Sequence, residues 1–320
     1  MSRVISKVVS LPVPQPFAAD AMLAFLASHT VPGVEHVRDR TYFRALRLPH
    51  GTGTIALTLP AQGDPAAVRA EIRLDDPSDL DAAIDTSQRF LDLRSDPVAI
   101  DNALAADPAL ATAVAATPGL RVPGAVDGAE MLIRAMLGQQ VSVAGAQTAA
   151  ARLTSAADQR LSVPDGELTH LFPTPAAIVA LGPDAIAGPR RRANAVCAAA
   201  AAIAAGSLVV DAHRRTARLT ADLLARPGIG PWTAGYVAMR LLADRDVLLT
   251  GDLVLRGGAA LLDLPARPAE LARYGERWRP YRSYAGMHLW RVALADAARR
   301  RADAEAAARP SRKGHRSMAR

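Results

Sequence analysis

The hydrophobic pattern of the chain changes its period once, near residue 96. Tyr42 to Leu48 and Thr54 to Leu59 are alternating, β-prone runs, with the period of two that half-buried strands need. Between them Pro49-His50-Gly51-Thr52-Gly53 supplies hairpin residues. Val68 to Leu74 predicts another strand, and Asp20 to Ala27 predicts a helix. Asp79 to Leu93 predicts a second helix, with acidic residues near its start. From Asp96 onward strand signals vanish and helices follow in series. Asp127 precedes Gly128 to Leu137, Ser142 precedes Val143 to Leu153, and Thr174-Pro175 opens a short helix. Arg190 to Ala205 is an alanine-rich helix, and two or three more run to about residue 305. The expected fold class is α+β. Residues 1–96 form a small α+β domain, 97–305 a mostly helical one, and 306–320 a basic tail expected to be disordered.

One corner of the helical half carries chemistry. Thr220 to Arg226 has helical apolar spacing, and Pro227 stops that helix. Gly228 and Gly230 flank Ile229, and glycine tolerates the positive φ of a sharp reversal. A second helix opens near Pro231 and continues through Val237, Met239, Leu241 and Leu242. Its N-terminal amides lack intrahelical partners and, with the helix dipole, suit an anion. Helix, glycine turn, helix is the form of a clamp on a nucleic-acid backbone. An ordinary helical corner with no ligand is the alternative.

Composition narrows the class. Of 320 residues half are apolar, yet no run is long enough to span a membrane, and Met1-Ser2-Arg3-Val4 opens no signal-peptide block. A lone Cys197 excludes an internal disulfide and any four-cysteine metal site. A cytoplasmic, soluble protein is expected. The net charge is +7, but residues 291–320 hold nine Arg/Lys against three Asp/Glu, which is +6. The clamp must therefore stand without a basic body. Arg190-Arg191-Arg192 and the group Arg214, Arg215 and Arg218 are local clusters, equally readable as solvated faces or phosphate contacts. The only lysines are Lys7 and Lys313, at the chain ends, which nearly excludes a Schiff-base mechanism. Arginine does not lose its proton and cannot substitute.

Thirteen residues are aromatic, and seven of them are Trp232, Tyr236, Tyr274, Trp278, Tyr281, Tyr284 and Trp290. Trp232 and Tyr236 lie four apart and share a helix face. Such a cluster beside a backbone clamp fits a stacking pocket for a flat ring, and electron-rich faces suit one that carries positive charge. Each ring is also readable as plain core. Asp252 follows Gly251 where a helix should begin, so it can cap that helix and still face a pocket. Cleaving a base from deoxyribose builds positive charge on the sugar, and a fixed carboxylate lowers that barrier or orients the attacking water.

Pro227-Gly228-Ile229-Gly230, then Trp232-Thr233-Ala234 and the trailing Asp252, resembles the helix-hairpin-helix (HhH-GPD) DNA glycosylases. Arg121-Val122-Pro123-Gly124 resembles the segment entering their helical domain. Ala135-Met136-Leu137-Gly138-Gln139-Gln140-Val141-Ser142 resembles its first long helix and turn, and the stretch Trp278-Arg279-Pro280-Tyr281 through His288-Leu289-Trp290 its closing helix. Together these are similar to the AlkA-type 3-methyladenine DNA glycosylase II family over about residues 10 to 295. The resemblance implies a TATA-binding-protein-like N-terminal domain and a catalytic Asp252. It places Trp232, Tyr236 and Trp290 in the base pocket. Gly228, Gly230 and Thr233 would meet the DNA backbone, with a monovalent cation on the hairpin carbonyls and no other cofactor. Gln139 and Gln140 would wedge into the gap left by the flipped nucleotide. Strand-cutting members carry lysine where this chain has Trp232, so a monofunctional enzyme is implied. Gly251 stands where a second acid occurs in the family, and Gln140 is polar where an apolar wedge occurs. His288 reads as a satisfied structural residue.

The expected activity is excision of alkylated purines from duplex DNA by base flipping, by a monomer at the bacterial nucleoid. The rivals are a non-catalytic helix-hairpin-helix binding module and a same-fold glycosylase for other lesions.

Overall fold

The computed structural model describes residues 4–308. Five antiparallel strands form the N-terminal sheet: β1 (Ile5–Pro12), β2 (Glu35–Arg38), β3 (Thr41–Arg47), β4 (Thr52–Thr58) and β5 (Ala67–Leu74), in spatial order β1-β5-β4-β3-β2. Alternation selects one face. Val68, Ala70, Ile72 and Leu74 of β5 are buried, with Ile55 and Leu57 of β4 beside them. That face packs against α1 (Ala19–Ser28) and α2 (Leu80–Phe90) through Met22, Leu23, Leu26, Ala83 and Phe90.

The helical half follows as α3 (Pro97–Ala105), α4 (Pro108–Ala116), α5 (Gly128–Leu137), α6 (Val143–Ala157), α7 (Pro175–Leu181), α8 (Arg190–Ala204), α9 (Thr216–Leu224), α10 (Pro231–Leu241), α11 (Leu253–Leu261), α12 (Pro268–Tyr274) and α13 (Arg282–Ala308). Side-chain oxygens start these helices. Asp127 accepts from the Glu130 amide at 2.7 Å, Ser142 from Gly145 at 3.1 Å and Thr174 from Ala177 at 3.3 Å. Two helical cores meet at α10. Ala234, Val237 and Leu241 join α5, α6, α8 and α9, while Met239 joins the core of α3, α4, α11 and α13. The hairpin helix is thus the seam between two packed layers.

The α+β class holds, with one correction. Strands do not end at residue 96: β6 (Arg160–Asp165) and β7 (Leu168–His170) form a short hairpin. Leu161, Leu168 and Leu171 pack on Ala45 and Phe43 of β3. Asp165 accepts from Thr54 at 2.7 Å and from Arg73 at 2.5 Å. Docking on the sheet makes these strands: the only alternation of their own is Leu161 and Val163, cut short by Pro164, and β7 is three residues long. The last helix reaches Ala308, three residues beyond the expected boundary, and the rest of the basic tail lies outside the described residues.

A buried ion network fastens the sheet to α5. Glu35 accepts from Arg44 at 2.8 Å and from Arg134 at 2.6 Å, and Arg134 also reaches Glu130 at 2.8 Å. Arg44 bonds Glu130 as well, and the Tyr42 hydroxyl donates to Glu35. Burial alone would raise the Glu35 pKa, but the two guanidiniums outweigh it and hold the carboxyl at about 2.

His288 on α13 departs from expectation. It is 1 % exposed, and its Nε2 finds no hydrogen-bond partner among the described residues. Burial, then the Arg291 charge, pushes its pKa down to about 4. The unfolded chain therefore takes up this proton first. Native stability should be full above about pH 6.5 and fall by roughly 1.4 kcal/mol per unit as pH drops toward 4. Urea titrations at pH 7 and 4.5 should show that loss, and His288→Asn should make the fall shallower, leaving the share that the buried His29, also held at about 4, contributes. An equal slope in the variant would assign the loss to other groups.

Candidate active site

The hairpin is built as its glycines allow. Helix α9 ends at Leu224, and Gly228 turns the chain with φ +79°. A Cβ there would also lie 2.5 Å from the Ala195 Cβ on α8, so both conformation and packing demand glycine. Gly230 differs from expectation: its φ is −99°, extended, and it caps α10 without a side chain. What its missing Cβ provides is open space, because no atom lies within 4 Å of that position. Pro231 has no N–H, and the amides of Gly230, Trp232 and Thr233 meet no acceptor among the described residues. Thr233 is 2 % exposed and its hydroxyl accepts from Gln139, so that hydroxyl is engaged within the protein.

Asp252 sits at the N-terminus of α11, as its position after Gly251 implied. One carboxylate oxygen accepts from the Leu255 amide at 2.9 Å and the Trp290 indole N–H at 3.1 Å. The other accepts from the Trp232 indole at 2.9 Å. Three donors occupy three of roughly four acceptor positions on the carboxylate. They fix the group as an oriented anion, half-buried between two tryptophans.

The structure brings Trp232, Tyr236 and Trp290 together, but not as an open slot. Trp232 and Tyr236 stack on each other, with centroids 5.1 Å apart and planes at 11°. Trp290 meets Tyr236 edge-on at 6.3 Å and 78°. A flat ring must therefore stack on an outer face of this group rather than between its members. A recess of about 80 Å³ lined by Arg44, Arg47, Asp127 and Phe172 lies elsewhere, at the sheet–helix junction.

Two residues that sequence spacing did not single out complete the wall. Arg240 donates to the Tyr236 hydroxyl at 2.6 Å and to the Gly124 carbonyl at 3.0 Å. Its guanidinium lies 4.8 Å from the Phe25 ring centroid and 5.4 Å from that of Tyr236. Phe25 stacks on His29 at 4.1 Å, and burial, followed by the Arg240 charge, pushes the His29 pKa down to about 4. A charged residue four after Tyr236 within an apolar run was the available signal for Arg240.

The turn between α5 and α6 splits the two glutamines. Gln140 is exposed with φ +57°. Gln139 points back instead, donating through Nε2 to the Gly228 carbonyl at 2.9 Å and the Thr233 hydroxyl at 2.8 Å. The basic clusters are largely paired within the protein. Arg190 bonds Asp184, Arg214 and Arg218 both reach Asp222, and Arg192 donates to backbone carbonyls.

Residues 8–127 match the family described as the AlkA N-terminal domain. A Mycobacterium tuberculosis protein named "Probable bifunctional transcriptional activator/DNA repair enzyme AlkA" is 46% identical over 280 residues, 88% of this chain. The chain spans little more than half of that relative, 56%. The Escherichia coli protein named "DNA-3-methyladenine glycosylase 2" is 35% identical over 289 residues, covering 86% of this chain and 94% of the relative. Among solved structures, a 3-methyladenine DNA-glycosylase from Archaeoglobus fulgidus superposes with a TM-score of 0.77 at 17% identity, covering 90% of this chain and 98% of that one. That likeness is one of fold. No described helix is long and apolar enough to cross a membrane.

Proposed function

The chain belongs to the DNA-3-methyladenine glycosylase 2 (AlkA) family, and from that membership and the Asp252 geometry we propose that it is a monofunctional glycosylase removing alkylated purines from duplex DNA. One observation carries the reading: a carboxylate held by two indole N–H groups, one of them two residues beyond a glycine hairpin with free amides. A non-catalytic clamp would need the hairpin alone.

Alkylation at N3 or N7 leaves a purine cationic, so it departs as a neutral base and needs little acid help. The C1′–N bond breaks with its electron pair going to the base, and positive charge spreads over C1′ and the ring oxygen. Asp252, fixed by its three donors, stabilises that charge without reorganising. The acceptor position left on its outer oxygen can orient a water whose oxygen bonds C1′ and whose proton is released. Before this, the cationic base stacks on the outer face of Trp232 or Trp290. The Gly230, Trp232 and Thr233 amides hold a phosphate nearby, and Gln140 fills the vacated stack. The Gly228 carbonyl is engaged by Gln139 and that of Gly230 by the Ala234 amide, so a monovalent cation at the hairpin would draw on the remaining carbonyls. No lysine lies between Lys7 and Lys313, so no Schiff base forms and the strand stays intact. The protein acts as a monomer at the nucleoid.

Methylated duplex DNA should release free methylpurines, identified by mass spectrometry, and leave uncut abasic strands. Duplexes with mismatched adenine or 8-oxoguanine, run in parallel, should release nothing comparable. Release from those alone would reject the assignment.

A further inference from the structure

The Gln139 side chain joins two parts of the molecule that the sequence keeps apart. Its carboxamide nitrogen reaches the hairpin at Gly228 and α10 at Thr233, across 89 and 94 residues of chain. A carbonyl only accepts, so the Gly228 oxygen fixes which end of the amide is nitrogen. The backbone is held too. The Gln139 carbonyl accepts from Arg192 Nη1 at 2.9 Å, and Arg192 Nη2 donates to Ala187 at 3.2 Å. Arg192 lies directly over Gly188, whose φ is +115° and where a Cβ would sit 1.9 Å from Nη2. Gln139 is therefore fastened at both ends, its carbonyl to the start of α8 and its side chain to the hairpin. The next residue, Gln140, is the exposed left-handed one. On the other side, Thr233 adjoins Trp232, whose indole holds Asp252.

We propose that Gln139 is a positioning residue that locks the 138–142 turn to the hairpin, so that gripping the strand and extruding the base are one rigid-body event. This rests on the glycosylase reading above. With the bracket intact, a phosphate seated on the hairpin amides fixes where Gln140 enters the duplex. Without it the turn pivots on Gly138, and its tip loses register with the strand while the hairpin still binds. Misplacement by an ångström is enough to cost about a hundredfold in rate.

The test compares two duplexes, one with the alkylated purine paired normally and one with an abasic residue opposite, where extrusion costs little. Gln139→Leu keeps the size of the side chain and removes both donors. Single-turnover excision from the paired duplex should fall at least about tenfold. Excision from the unpaired duplex should stay within about threefold, as should the duplex Kd. Thr233→Val, which removes one of the two acceptors, should show the same asymmetry in weaker form. An equal loss on both duplexes would mark a merely structural role, and no loss on either would also overturn the proposal. If the unsubstituted protein releases no base from either duplex, the glycosylase reading itself falls, an outcome distinct from both.

Discussion

Asp252→Asn should abolish base release while leaving the fold and DNA binding in place. Asparagine caps helices as well as aspartate does, so α11 should still start at Leu253 and stability should change by no more than about 1 kcal/mol. The side-chain oxygen can keep the bonds from the Leu255 amide and one indole. Its amide nitrogen then faces the second indole N–H, donor against donor, where the wild-type oxygen accepted. The anion opposite the developing sugar cation is gone. Removing one preorganised electrostatic partner of a transition state costs about 10² to 10³ in rate, and a full charge should cost at least that. Single-turnover excision of a methylated purine measures the loss. Gel-shift titration of the same duplex should give a Kd within a few-fold of wild type. Near-normal excision by the variant would remove Asp252 from the chemistry and favour a carboxylate whose only task is to cap α11.

The chain order made some of this visible. Val68, Ala70, Ile72 and Leu74 needed no partner to declare a strand face, and Asp127, Ser142 and Thr174 act on amides three residues away. Trp232 and Tyr236, four apart on one helix, belong to the same local class. The unseen parts depend on docking. The β6–β7 hairpin owes its existence to Ala45 and Phe43, more than a hundred residues away in the chain. Phe25 joins the aromatic wall because Arg240, over two hundred residues later, lies against it. Gln139 read as part of an extruding turn because the family resemblance placed it there together with Gln140. Its direction is set by the Gly228 carbonyl, and nothing within the turn encodes it. Arg240 was hidden by the opposite rule, a charge inside an apolar run whose partners are the carbonyls of Pro123 and Gly124.

Gly258→Ala should damage both stability and activity, while Gly257→Ala, one residue away, should damage neither. The two glycines sit on α11, the helix that Asp252 opens. Gly257 is exposed and a Cβ there meets nothing within 4 Å, so alanine should simply favour the helix by about 0.5–1 kcal/mol. Gly258 faces α13, where a Cβ would lie 1.9 Å from the Leu289 carbonyl oxygen and 2.7 Å from its carbon. Those are backbone atoms and cannot rotate away, so α11 must retreat by about 1 Å or more. Overpacking of this kind costs about 1–3 kcal/mol. The functional consequence is sharper, because Leu289 precedes Trp290. The contact that breaks is the one setting the distance between Asp252 and the Trp290 indole, now 3.1 Å. A retreat of that size takes the pair beyond hydrogen-bond range and frees the carboxylate to turn. Excision by Gly258→Ala, measured where the variant is fully folded, should fall about a hundredfold. Denaturant titration alongside separates this from simple unfolding. Equal behaviour of the two variants would mean that the α11–α13 crossing does not set the position of the acid.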